Sequence, residues 1–294
     1  MRICIRCAAP LKESGWVCSY CGWVPDFQYS FPLLAPDLSS GSIDYPADVH
    51  DLLVQFDASN FWFMHRNQII MLSLGNFFPK AINLLEIGCG TGLVLSGISK
   101  RFPEISLFGA EAYSNALKYS KKRVKNAEFA QMSVYRLPFL EEFHVVGAFD
   151  VLEHLDDDVI ALKEIFKATK TCGGIILTVP QHPWLWTPLD NKAGHKRRYT
   201  RRELRSKVQM SGFEILSITS FVTMLFPLML VSRWRKYLQK SDQPNDILKE
   251  LNIPRKLNRL FVHICSWEAI LIQNGFSLPF GGSLLCVARK KLTV

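Results

Sequence analysis

The sequence predicts an α/β domain built on a mostly parallel, buried sheet, with a small cysteine module in front of it. Three observations carry this. Short apolar runs alternate with amphipathic ones from residue 82 to residue 220, as strands and helices do in turn. A glycine-rich turn joins the first apolar run to the first amphipathic one. Four cysteines fall in two Cys-x2-Cys pairs within the first 21 residues. A chain of 294 residues suits one large domain with appendages, or two small domains.

In chain order, Cys4, Cys7, Cys18 and Cys21 come first, with ten residues between the pairs. The spacing matches a Cys4 zinc site, and Gly22 allows the tight turn after the second pair. Redox disulfides or chance spacing are the alternatives. A module of about 25 residues (1–25) would draw much of its folding energy from the metal. Residues 26–46, rich in Pro, Ser, Asp and aromatics, read as a linker, and 47–294 as the main domain. Residues 48–56 are a short amphipathic run, and 61–77 carries apolar residues at helical spacing. A strand over 82–87 enters the glycine turn. Helix 93–101, strand 105–110, Lys-rich helix 114–122 and strand 127–131 follow. Strands 143–149 and 174–179, the latter ended by Pro180, flank a helix over 157–168. A basic helix over 200–211 closes at Gly212 and leads into strand 213–220. Residues 221–280 break the alternation with apolar, aromatic and basic residues at helical spacing, too many for an ordinary connection. The final strand is 283–289.

Composition excludes several classes. The net charge is +9 and 48% of residues are hydrophobic, with a pI near 9.1 and a mean hydropathy of +0.08. Apolar content this high rules out disorder. Eight cysteines are too sparse for a disulfide-stapled miniprotein. The isolated Cys89, Cys172, Cys265 and Cys286 behave as small hydrophobes. Met1-Arg2-Ile3-Cys4 has no apolar signal core, so a cytosolic chain is expected. The longest uncharged stretch, 215–232, contains Pro227 and falls short of the ~20 apolar residues a spanning helix needs.

The glycine turn reads Glu86-Ile87-Gly88-Cys89-Gly90-Thr91-Gly92. Glycines let a ligand approach the main chain closely, and the following helix N-terminus offers N–H groups to an anion. A dinucleotide fingerprint would need Gly or Ala at position 93, where Leu93 stands. The E-x-G-x-G-x-G run instead resembles the first motif of class I S-adenosylmethionine-dependent methyltransferases. Downstream residues carry the same likeness. Glu111 ends the second strand, where an acid accepts hydrogen bonds from ribose hydroxyls. Met132-Ser133-Val134-Tyr135-Arg136-Leu137-Pro138-Phe139 resembles the family's D-A-x-x-L-P-F segment, with Ser133 in place of the Asp. Val151-Leu152-Glu153-His154-Leu155 resembles its v-L-E-H-l element, although Phe143-His144 stands where the preceding strand usually has an Asp. The helix over 61–78 looks like the cofactor-capping helix of ubiquinone-biosynthesis O-methyltransferases. The likeness covers about 82–220 and 283–290. It implies a Rossmann-like seven-stranded sheet with a final antiparallel strand and a helical insert (221–280) before it. It also implies S-adenosylmethionine as cofactor, held by Arg66, Glu86, Gly88, Cys89, Gly90, Gly92, Glu111, Ala112, Met132, Ser133 and Phe149. Arg66 would pair with the cofactor carboxylate, or else is an exposed helix arginine.

Methyl transfer needs an aligned acceptor and, for a hydroxyl or amine, a base. Two histidines are candidates. His154 closes an Asp150-x-x-Glu153-His154 cluster whose spacing could share one face and hold a divalent ion. Alternatively, Glu153-His154 merely starts the next helix. His195 lies in a basic loop expected beside the acceptor pocket, with Trp184 and Trp186 as an aromatic wall. His182 is a third option.

The run 192–207 holds eight Lys or Arg against Glu203. It is either a cationic rim for phosphate, nucleic acid or anionic lipid, or a solvated helix face. Apolar 221–231 followed by Arg233-Trp234-Arg235-Lys236-Tyr237 suits an interfacial helix, a lid, a dimer contact or a buried helix. The expectation is a cytosolic methyltransferase with structural zinc, acting on O or N of a small or lipid-linked metabolite, peripherally at a membrane. An RNA methyltransferase gripping its substrate with the ribbon and basic helix, and a non-catalytic cofactor-binding scaffold, are the alternatives.

Overall fold

The computed structural model describes residues 1–12, 15–39, 54, 56–239 and 253–291, without the side chains of 39 and 234–239. The run expected over 48–56 lies almost wholly outside these residues, as do the side chains of Trp234 and Tyr237.

Described strands are β1 (Asp26–Gln28), β2 (Phe31–Leu33), β3 (Asn83–Ile87), β4 (Ser106–Glu111), β5 (Glu128–Gln131), β6 (Phe143–Phe149), β7 (Thr169–Pro180), β8 (Phe213–Phe221) and β9 (Ser283–Lys290). Helices are α1 (Pro36–Ser39), α2 (Phe61–Phe77), α3 (Leu93–Arg101), α4 (Ser114–Arg123), α5 (Asp158–Ala168), α6 (Pro188–Lys192), α7 (Arg201–Met210), α8 (Phe226–Gln239) and α9 (Arg255–Gln273). They build one sheet in the order β1-β2-β5-β4-β3-β6-β7-β9-β8. Strands β5, β4, β3, β6 and β7 run parallel, and β9 inserts antiparallel between β7 and β8.

Seven of these strands are the expected ones. The other two come from the segment read as a linker. Tyr29 and Ser30 both take positive φ, which lets a two-residue turn fold Asp26–Leu33 into a hairpin. Leu33 then pairs with Gln131 and covers the β5 edge. The Gln131 side chain reinforces the join, donating to the carbonyls of Ala35 (2.7 Å) and Ala112 (2.9 Å) and accepting from the Ala35 N–H (3.0 Å). β7 also begins earlier than the expected residue 174, because Thr169 pairs with Phe143 across an irregular register.

Apolar clusters cover both faces, as a parallel sheet requires. One packs α5 and α7 on the sheet. The other packs α2, α3, α4 and α9 on the opposite face. Asn60 caps α2 by accepting from Trp62 N–H at 2.9 Å, and Asp157 caps α5 through Val159 and Ile160 N–H.

The described part of the 221–280 insert is two helices, α8 and α9. α9 lies along α2, with the Phe61 and Phe261 rings 5.1 Å apart. Glu268 of α9 is fully buried. It meets His65 Nε2 at 2.9 Å and accepts the N–H groups of Val222 (2.6 Å), Thr223 (2.7 Å) and Met224 (3.0 Å). One carboxylate therefore joins α9, α2 and the turn after β8. None of the described helices is long and apolar enough to cross a membrane.

Removing Glu268 leaves these buried N–H groups unpaired. Glu268→Ala is expected to cost about 3 kcal/mol in urea unfolding. A loss below about 1 kcal/mol would show that water or repacking replaces the carboxylate.

Candidate functional site

The site forms where β3, β4 and β6 end together. Between β3 and α3, Gly88, Gly90 and Gly92 have φ of 65°, 48° and 76°, the left-handed region that suits glycine. A Cβ on Gly88 would lie 2.5 Å from a Val151 methyl, and one on Gly92 2.8 Å from Ser120 Cα, while one on Gly90 would meet nothing within 4 Å. The turn is thus packed at both ends and open at its middle. It is also tethered. Ser120 Oγ donates to Gly90 O at 2.6 Å. Thr91 Oγ1 donates to Asp57 at 2.8 Å, and Arg123 grips both oxygens of Asp57 at 2.7 and 2.8 Å. Asp57 was not singled out by sequence.

Glu111 accepts Gly90 N–H at 2.8 Å through one oxygen. Its other oxygen accepts the N–H groups of Ala112 at 2.8 Å and Tyr113 at 3.2 Å. Met132 is buried and donates its N–H to Glu111 O at 2.9 Å. Half-buried Ser133 turns its hydroxyl to accept Tyr135 N–H at 3.2 Å. Cys89 is buried beneath the turn. Burial, with Glu111 and Glu86 nearby, pushes its thiol well above the ordinary range. Phe149 is buried at the end of β6.

Arg66 reaches in from α2 among three carboxyl groups. Its Nη1 lies 2.5 Å from Asp150 Oδ2, which also accepts from Thr178 Oγ1 at 3.0 Å. The Arg66 guanidinium sits over Trp62, 4.8 Å from the ring centroid, and its Nε has no hydrogen-bond partner among the described residues. Glu86 is pushed up to about 8 by burial, against the pull of Arg66 and Leu95 N–H. Its Oε2 is buried and has no hydrogen-bond partner among the described residues. Glu153 is raised well above the carboxylate range by burial and by Asp150, and neither of its oxygens has a hydrogen-bond partner among the described residues.

Leu152–His154 form a 3-10 turn, and Asp150 has φ of 57°. That geometry turns Asp150 to Arg66, and His195 joins Glu153 and His154 instead, with one ligand atom of each within 4.8 Å of the others. The set is close enough to hold a divalent ion. The rings of His154 and His195 lie 4.9 Å apart, edge to face. Burial, then His195, lowers His154 to about 4. His195 Nδ1 lies 2.9 Å from Asp190. Burial would raise Asp190, but hydrogen bonds from His195 and Arg198 outweigh it and hold the carboxyl well below its usual range. Asp190 Oδ2 also accepts from Thr187 N–H at 2.8 Å. Lys196 N–H binds Glu153 O at 2.7 Å, so the loop is pinned to the 3-10 turn. His182 stacks near Trp184 (5.1 Å) and Phe226 (5.6 Å), away from this cluster. Trp184 is exposed, and Trp186 donates to Asn191 at 3.0 Å.

The basic run is not the free cationic rim that its density suggests. Lys196 pairs with Asp156, Arg197 and Lys207 with Asp158, and Arg198 with Asp190. Arg201 donates to the carbonyls of Ile218 and Leu278. At least five of the eight bases engage partners within the domain: four meet acids at Asp156, Asp158 and Asp190, and Arg201 meets main-chain carbonyls.

At the other end of the chain, Cys4, Cys7, Cys18 and Cys21 bring their sulfurs within 4.8 Å of one another. Cys4–Cys21 and Cys7–Cys18 are 3.7 and 3.6 Å apart. A zinc ion at about 2.3 Å from each of four sulfurs needs a tetrahedral edge of about 3.8 Å, so these residues fit one.

A model of the methyltransferase domain family matches residues 64–218, over half of the chain, and the chain belongs to that family. An uncharacterized methyltransferase of Schizosaccharomyces pombe is 32% identical over 109 residues, 33% of this chain and 39% of its own length. The demethylmenaquinone methyltransferase of Lactococcus lactis is 28% identical over 159 residues, 50% of this chain and 58% of its own. The chain thus spans about two fifths to three fifths of these relatives. Phosphoethanolamine N-methyltransferase 2 of Haemonchus contortus, solved with S-adenosyl-L-methionine, shares the fold with a TM-score of 0.56 at 17% identity, covering 85% of this chain and 58% of that one.

Gly90→Ala is expected to cost only the strain of a left-handed residue, about 1 kcal/mol. Gly92→Ala adds an overlap with Ser120 of about 1–3 kcal/mol more. Thermal unfolding of the two variants should therefore differ, and equal losses would contradict the packing described.

Proposed function

We propose that this member of the methyltransferase domain family transfers a methyl group from S-adenosylmethionine to an oxygen or nitrogen of a small or lipid-linked metabolite. One juxtaposition carries the reading. A donor, Arg66 Nε, and a buried acceptor, Glu86 Oε2, both without a hydrogen-bond partner among the described residues, lie beside an open glycine turn that Glu111 borders. That pair matches the carboxylate and ammonium of an α-amino acid. Glu111 would accept the ribose hydroxyls, and Met132 and Ser133 would flank the adenine.

When bound, S-adenosylmethionine would supply an electrophilic methyl group on a sulfonium for the acceptor's lone pair, with the neutral thioether as leaving group. The anionic Asp190 holds the proton of His195 on Nδ1, which leaves the Nε2 lone pair to take the acceptor's proton. Asp190 also stabilises the imidazolium that results. His154, kept neutral near physiological pH, adds no competing positive charge. His195 is therefore assigned as base, Asp190 as its positioning residue and His154 as part of the acceptor wall. Zinc at Cys4, Cys7, Cys18 and Cys21 would be structural.

The names of the Lactococcus and Haemonchus proteins support a small or lipid-linked acceptor. For a cytoplasmic chain, action at a membrane surface is the reading that α9 supports. It exposes Leu257, Leu260, Trp267 and Ile270 at helical spacing, beside Arg255, Lys256 and Arg259. The internal pairing of the basic run weighs against an RNA acceptor.

Calorimetry should show S-adenosylmethionine or its demethylated product binding to the native chain and not to Gly90→Arg. If neither ligand binds the native chain, the reading is lost. Glu111→Ala should weaken binding about 100-fold. His195→Ala should retain it while slowing methyl transfer about 10²–10⁴-fold. Transfer of labelled methyl to whole-cell lipid, small-molecule and RNA fractions identifies the acceptor class, and label in RNA alone would overturn the one proposed.

A further inference from the structure

We propose that the Cys4 module is a brace for the adenine side of the cofactor site: with zinc bound, it fixes the irregular segment after β5 that begins with Met132 and Ser133. This rests on the cofactor reading of those two residues.

The segment from residue 132 to 142 belongs to no strand or helix, and much of its backbone bonding comes from the module. Ile3 N–H donates to Pro138 O at 3.0 Å, and Leu140 N–H to Met1 O at 2.9 Å. The amino group of Met1 donates to Leu140 O at 2.7 Å. Arg136 reaches back to Ile5 O. Residues 1–5 thus lie along 136–140 as an added edge. Side chains extend the contact. Arg2 is buried, pairs with Glu128 at the start of β5 (2.7 Å) and with Glu142 (3.4 Å), and lies over the rings of Trp16 and Phe108. Trp16 meets Phe139 edge-on at 6.0 Å and Phe108 at 6.3 Å. A module built to read nucleic acid would turn Arg2 outward.

The module cannot hold this form unaided. Among its described residues the buried apolar ones are Cys4, Leu11 and Cys18, far fewer than a core requires. Trp16 sits between the two cysteine pairs, so its position depends on whatever joins them. A metal ion joining four thiolates therefore sets Trp16 and residues 2–5, and these set 136–140.

The test uses the full chain. Zinc content is measured first, and one zinc per chain is expected. Metal-free purified protein would overturn the proposal. Zinc is then stripped with a chelator. S-adenosylhomocysteine affinity is measured by calorimetry, and hydrogen exchange is followed at residues 133–140 and in β3–β7. The expected result is at least tenfold weaker binding and lost protection at 133–140, with β3–β7 unchanged and both effects reversed by zinc. Unchanged affinity and protection in the stripped chain would overturn the brace. If stripping unfolds the whole chain, Trp16→Ala with its four cysteines intact decides. Retained zinc with about fivefold weaker binding supports the proposal, and native affinity overturns it. If the zinc-loaded native chain binds no S-adenosylhomocysteine, the cofactor reading fails, while zinc-dependent protection at 133–140 still reports on the brace.

Discussion

Arg66 is the charge around which the rest of the site is arranged. It faces Glu86, Asp150 and Glu153, all held in or near the interior. Four ionised groups could not be buried together at tolerable cost. The conflict resolves by unequal ionisation. Asp150 takes the direct ion pair, while desolvation drives Glu86 and Glu153 toward their neutral forms. Since Asp150 leads directly into the turn carrying Glu153 and His154, the same guanidinium links the glycine turn to the histidine pair. The glycine turn and the histidine pair are thereby held in one electrostatic unit.

Second-tier tethers make that unit rigid. Asp57 and Arg123 hold the glycine turn from outside, Asp190 holds His195, and Glu268 holds the helices behind Arg66. Each is a buried carboxylate accepting several hydrogen bonds, which fixes direction as well as distance. Positioning to a fraction of an ångström is what an in-line displacement asks of a protein.

The parts of this arrangement that could be read from sequence are those with a local cause. Positive φ demands glycine, so the turn at 88–92 announces itself. Paired cysteines announce a four-sulfur cluster by spacing alone, and Glu111 is marked by its place at a strand end. The remainder depends on partners that only the topology brings near. Asp57 meets Arg123 across 66 residues, and no local pattern marks it. The basic run looked free because its acids lie on other elements. Residues 26–33 looked like a linker because strands of three residues carry too little periodicity to be recognised. Asp190 lies five residues before His195, and only the fold shows that it orients the ring.

The placement of β9 imposes an order in time. It fills the gap between β7 and β8, pairing with β7 from Gly174 to Pro180 and with β8 from Phe213 to Phe221. A nascent chain that has already delivered β8 to the solvent cannot seat it, because its neighbour in the sheet is still inside the ribosome. Until then β7 presents an apolar open edge, the kind of surface on which chains associate wrongly. The glycine turn and the strands that hold it are made early in synthesis, whereas the join between β7 and β8 waits for β9. A ligand bound to the early half would shelter an incomplete sheet before the late half arrives.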